Sequence, residues 1–206
     1  IYLPTSNGAE TMTDALRESQ NIVNITRRIN GLENNLIKDN ARYNFEMPDS
    51  TQAWKVNKLN DNNLNTRIAN VAYESKIGQR ALEIDFSNLS IGHSSVVYVD
   101  TFFPDWFTEL KGAQRQKFFH YDFVGCPIVY TGQKIKTELI SKSKNNIKVT
   151  LFIKYWGEED KLKQIDTEEY ELLNNEVKSI EWTVPDTFSN PIGQIGFVIS
   201  SDTNTS

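Results

Sequence analysis

Cysteine is almost absent from this chain. Cys126 stands alone among 206 residues, so no internal disulfide can form. A lone thiol suits a bacterial cytoplasmic protein and equally suits an exported module, which leaves the compartment open. Histidine is nearly as scarce, with only His93 and His120. Neither has a second His, Cys or carboxylate at a metal-ligand spacing, apart from Asp122 two residues beyond His120, and this argues against a zinc site. No run approaches the roughly 18 apolar residues of a membrane span. Basic charge is also short. Lys and Arg total 22 against 27 Asp and Glu, for a net charge of −5, whereas a dedicated nucleic-acid binder would show a basic face. A GxSxG elbow, a phosphate-cradling glycine loop and a GxGxxG fingerprint are all missing. The chain begins IYLPTSNGAE, with neither an initiator Met nor a basic-then-apolar leader. It reads as a piece of something longer, or as a processed chain.

Enough apolar sequence is present for a folded core: 38% of residues are hydrophobic and 24% charged. The length suits one mid-sized domain, or one domain with an appendage. Two compositions meet near residue 40. Residues 1–40 read as an N-terminal helical segment or linker. Asn7 with Glu10, and Thr11 with Asp14, offer N-terminal caps. Met12, Leu16, Val23 and Ile29 then recur at helical spacing, with Gly31 as a stop. Such an amphipathic stripe needs a partner surface, either the following domain or a preceding catalytic one.

From residue 41 onward the pattern turns to strands. Residues 80–86 alternate, with Leu82, Ile84 and Phe86 opposite Ala81, Glu83 and Asp85. Residues 94–103 are rich in β-branched and aromatic side chains. Ile135, Thr137 and Leu139 share one face of 134–141. Ile147, Val149, Leu151, Ile153 and Tyr155 share one face of 147–156. Runs at 177–184 and 192–200 follow. The stretch 141–146 reads as a polar hairpin loop, with 157–162, 172–176 and 189–191 as further turns. Short strands without intervening helices predict an antiparallel β-sandwich of jelly-roll type.

Candidate chemistry is sparse. His120 reads as a strand residue and Cys126 as a small buried one. Trp156 and Trp182 read as core or interface residues. Paired carboxylates of the kind a glycosidase needs cannot be brought together from sequence. The strongest signal is the FFPDWF loop, 102–107. Flat aromatic faces stack on the C–H face of a sugar ring while nearby polar groups read its hydroxyls. Phe103, Asp105, Trp106 and Phe107 are therefore the candidate ligand-binding residues. The competing reading turns those rings inward, as a cover for the open end of the core.

The stretch YNFEMPDSTQAW, followed by QRALEIDFSNL, resembles the start of galactose-binding-like β-sandwiches found in carbohydrate-binding modules. The features are Phe45-Glu46, a turn, Trp54, and alternation from Leu82 to Phe86. Three later segments are similar to the sandwich region of bacterial ADP-ribosylglycohydrolase-family proteins: Tyr130 to Gln133, Trp182 to Asp186 and Pro191 to Gly196. That catalytic family holds magnesium on a helical domain whose Gly-Asp signature has no match here, so no catalytic residue is carried over. The galactose-binding resemblance also implies a structural calcium near the first strand, with Glu46, and Asp49 beside it, as oxygen ligands.

The resemblances imply a non-catalytic accessory sandwich (residues 41–206, lacking its last strand), binding carbohydrate or an ADP-ribose-like ligand beside a hydrolase domain. Two alternatives stay open at this point. One is a structural domain packing on a neighbouring catalytic domain. The other is a fragment of a glycosyl hydrolase, such as an ADP-ribosylglycohydrolase-like enzyme, with its activity elsewhere in the chain. Neither nucleic acid nor membrane is an expected partner.

Overall fold

A computed structural model describes residues 45, 47–57, 65–75, 78–87, 89, 91–101, 129, 131–157, 161–188 and 190–202. The expected N-terminal helix lies outside the described residues. Among the described residues, ten strands follow in chain order: β1 (Lys55–Val56), β2 (Asn65–Ser75), β3 (Gly78–Ser87), β4 (Ser94–Asp100), β5 (Lys134–Ile140), β6 (Ile147–Trp156), β7 (Leu162–Asp166), β8 (Tyr170–Leu172), β9 (Val177–Thr183) and β10 (Ile192–Ser200). All pair antiparallel.

One layer is a six-stranded sheet in the order β1-β4-β10-β6-β7, with β8 also on β6. Facing it are two two-stranded pairs, β2-β3 and β5-β9. The layers meet through one face of each strand. Val97 and Val99 of β4, Leu151 and Ile153 of β6, and Ile195 and Ile199 of β10 are buried together with Ile135 of β5 and Ile180 of β9; Ile68, Leu82, Ile84 and Phe86 of β2-β3 pack against them. Successive strand residues point to opposite faces, so this single core fixes the orientation of every strand. The chain is thus a mainly-β antiparallel sandwich with a jelly-roll-like strand order.

The stretch expected as a hairpin loop between two strands at 141–146 is not one. β5 pairs with β9, whereas β6 pairs with β10, β7 and β8. The segment crosses from one layer to the other. Its serines cap the turn locally, Ser141 Oγ accepting from Ser143 N at 3.2 Å and Ser143 Oγ from Asn145 N at 3.2 Å. Both flanking strands carry an apolar face, and both faces reach the same core from opposite sides.

Two irregularities shape the six-stranded sheet. Along one edge of β6, β8 pairs with its first half and β7 with its second. Thr167 closes the gap: its N–H donates to Leu151 O at 2.9 Å, and its hydroxyl accepts from Leu151 N at 3.0 Å. In β10 a bulge falls between Ile192 and Gln194. A bulge re-aims the side chains on either side of it. Here Ile192 joins the core while Gln194, two residues on, points to the opposite face.

Candidate functional site

The face of the six-stranded sheet turned away from the core carries two cross-strand rows. The first runs Lys55, Tyr98, Gly196, Phe152, Asp166, one residue from each of β1, β4, β10, β6 and β7. The second runs Asp100, Gln194, Lys154, Gln164. Directly opposed residues in antiparallel strands share a face, so the two rows lie side by side.

The polar groups are already fixed. Lys55 Nζ donates to Asp100 Oδ2 at 2.5 Å, and Gln194 Nε2 donates to Asp100 Oδ1 at 3.0 Å. Gln194 is buried, while the Lys55 and Asp100 side chains are 40% and 18% exposed. Lys55 Nζ also lies 4.9 Å from the centre of the Tyr98 ring, a cation–π distance. Partial burial opposes the Lys55 charge, but the hydrogen bond and negative charge of Asp100 outweigh it and raise the Lys55 pKa above its ordinary value. Farther along, Lys154 Nζ stands 5.5 Å from the Phe152 ring, and Gln164 Nε2 donates to Asp166 Oδ1 at 2.6 Å. Phe152 and Trp156 are fully buried, yet both sit on this face and outside the core cluster.

Local sequence explains the placement. Lys55 is delivered by the loop 47–54, whose Trp54 is buried and stacks on Phe197 of β10 at 5.7 Å, with Phe45 tilted against it at 5.9 Å. Trp54 is therefore a packing residue at the head of β1. Gln194 reaches Asp100 because of the bulge. Thr101, just past β4, pins that bulge by donating N–H to Gly193 O and its hydroxyl to Ile192 O, both at 2.8 Å.

Phe103, Asp105, Trp106 and Phe107 lie outside the described residues, as do Glu46, His120 and Cys126. Asp49 is exposed at a left-handed turn position, φ 59°. Trp156 is buried and Trp182 packs against the core, as expected. The Tyr98, Asp100 and Gln194 group escaped notice because its members come from strands far apart in sequence. Their only local signal is a polar residue inside an apolar run, as in the stretch IGQIGF.

No family model matches the chain, and no curated protein matches it either. Among solved structures, a carbohydrate-binding module from the β-sandwich superfamily matches with TM-score 0.49 and 11% identity, over 74% of this chain and 52% of the other. The chain thus spans about half the length of that structure. The CBM22-1 xylan-binding domain of Paenibacillus barcinonensis Xyn10C matches with TM-score 0.44 and 6% identity, over 78% and 83% of the two chains. The CBM22-1-GH10 modules of the Clostridium thermocellum xylanase Xyn10B, complexed with xylohexaose, match with TM-score 0.42 and 13% identity, over 74% of this chain and 24% of that one.

The expected kinship with ADP-ribosylglycohydrolases is corrected by these findings: that family's model does not match, and the similar structures carry a different description. The reason lies in where the motifs fall. Thr131 to Gln133 form the turn before β5, Trp182 to Asp186 close β9, and Pro191 to Gly196 open β10. They serve strand pairing, which many sandwiches share. The assignment to an ADP-ribosylglycohydrolase-like hydrolase falls with that kinship, and so does the reason for expecting an ADP-ribose-like ligand.

Proposed function

We propose that this sandwich is a non-catalytic carbohydrate-binding module and that the outward face of its six-stranded sheet receives the ligand. One observation carries the reading: the Lys55–Asp100–Gln194 network set beside the Tyr98 ring, across strands β1, β4 and β10. Apolar residues of similar size would hold a sheet together at least as well as a partly buried ion pair. A preorganised mixture of donors and acceptors beside a ring is instead what sugar recognition needs. Hydroxyls both donate and accept, and the C–H face of a pyranose stacks on an aromatic. Asp100 and Asp166 supply acceptors, Lys55, Lys154 and Gln164 supply donors, and Tyr98 supplies the ring.

The first row crosses five strands. Four spacings of about 4.8 Å span roughly 19 Å; Phe152 within the row is buried, so a ligand would meet the flanking Lys55, Tyr98 and Asp166. The module works as an accessory, holding a separate catalytic domain on its polymer.

Affinity electrophoresis through soluble polysaccharides, xylan among them, tests this. The wild type is retarded, and both Tyr98→Ala and Asp100→Ala lose the retardation while keeping the wild-type circular dichroism spectrum. Trp106→Ala reports separately on the aromatic loop. Migration of the wild type unaffected by any polysaccharide, or retention of binding by both sheet variants, would refute the proposal.

A further inference from the structure

Asn70 occupies a position in β2 opposite Leu82, where strand alternation calls for an apolar side chain facing the core. Its amide instead ties down the loop before β1. Nδ2 donates toward three carbonyl oxygens, Phe45 O at 2.7 Å, Met47 O at 2.8 Å and Ser50 O at 2.9 Å. The other end is held by Arg80 of β3, whose Nε donates to Asn70 Oδ1 at 2.6 Å and whose guanidinium also reaches Asn70 O at 3.2 Å. The amide can be oriented only one way. A guanidinium solely donates and carbonyls solely accept, so oxygen must face Arg80 and nitrogen the loop.

Several carbonyl oxygens converging on one point form the kind of donor set that suits a hard cation. The resemblance to galactose-binding-like sandwiches implies a calcium in this very loop. The described residues do not fit one. The point of convergence is held by a nitrogen that carries protons, and a permanent guanidinium charge lies one amide away. We infer that Asn70, oriented by Arg80, does in this chain the work a divalent cation would do, and that the loop is built to be metal-independent.

The loop needs such a tie. Phe45, Asp49, Gln52 and Ala53 all have positive φ, at 56°, 59°, 52° and 69°. Left-handed backbone at non-glycine residues is strained and persists only where the surroundings hold it. Gln52 adds a second tie, its Oε1 accepting from Phe45 N at 2.7 Å. Together they deliver Trp54 onto Phe197 and Lys55 onto the proposed ligand face.

Thermal melts of the full chain in EDTA and in millimolar calcium test the inference, and they do not depend on which ligand the sheet binds. The wild-type midpoint is the same in both; a rise in calcium would overturn the inference. Asn70→Asp sets a carboxylate against the three carbonyls. Its midpoint falls in EDTA and is recovered by calcium. Should Asn70→Asp not fold in EDTA, Arg80→Gln is the milder variant: it frees the amide to turn and lowers the midpoint in EDTA and calcium alike. An Asn70→Asp protein that melts like wild type, or whose loss calcium does not reverse, refutes the equivalence, as does an Arg80→Gln protein with an unchanged midpoint.

Discussion

The ring of Phe152 lies against Gly196 across the β6–β10 ladder, with no room for a side chain between them. A Cβ on Gly196 would stand 2.5 Å from Phe152 Cζ and 2.5 Å from the Val97 carbonyl oxygen. The ring can turn, but the carbonyl belongs to the neighbouring strand and cannot withdraw without breaking the sheet. Gly196 therefore sets how closely β4 and β6 approach the central strand on the proposed ligand face.

Gly196→Ala should accordingly destabilise the fold by about 3 kcal/mol, the upper end of the usual overpacking range. Chemical denaturation of purified protein measures it. A loss below about 0.5 kcal/mol, within the scatter of ordinary surface changes, would mean the two neighbours part more easily than this packing implies.

Core and surface of the same strand should respond in opposite ways. Leu151 is 1% exposed at the centre of β6, so Leu151→Asp unfolds the domain and Leu151→Ala costs about 2–5 kcal/mol. On the same strand Lys148 pairs with Glu169 at 3.1 Å and Asp202 at 2.6 Å, with Lys148 half-buried and both carboxylates exposed. Lys148→Ala should melt like the wild type, because exposed ion pairs contribute little. Melting curves of the three variants decide between these outcomes.

Acid pH should reveal Glu181. Its carboxylate accepts from Lys134 and, at 2.8 Å, pairs with Lys136. These hydrogen bonds and charges lower its pKa from 4.5 to about 2. Because the folded value lies below the unfolded one, the stabilisation is complete above about 4.5 and disappears as pH falls toward 2. The side chains are exposed, so added salt weakens the effect. An NMR titration of Glu181 should find its midpoint near 2 at low salt. A midpoint at the ordinary glutamate value would show that the two lysines do not engage it.

The large strands were legible because their burial is one-sided or complete. The apolar runs at 80–86, 134–141, 147–156, 177–184 and 192–200 all became strands to within two or three residues at each end. Of the four strands without a matching run, β1 and β8 are only 2 and 3 residues long, and β2 and β7 were missed for other physical reasons. β2 turns Thr66 and Asn70 inward beside Ile68, and inward polar residues erase the alternation. Thr66 is satisfied by Ser95 Oγ at 2.9 Å, and Asn70 by the loop carbonyls. β7 is a short edge strand with only Leu162 and Ile165 apolar, so its sequence reads as turn. The proposed ligand face was illegible for a different reason. Its rows join residues far apart in sequence, Asp100 and Gln194 being 94 positions apart, and only strand order brings them together.

The most direct test of the central claim is an NMR titration of the labelled protein with a xylo-oligosaccharide. If the outward sheet face is the binding surface, the largest shifts fall on the Gln194 side-chain amide, Tyr98 and Lys154. Shifts confined to other surfaces, or none at saturating ligand, would contradict it.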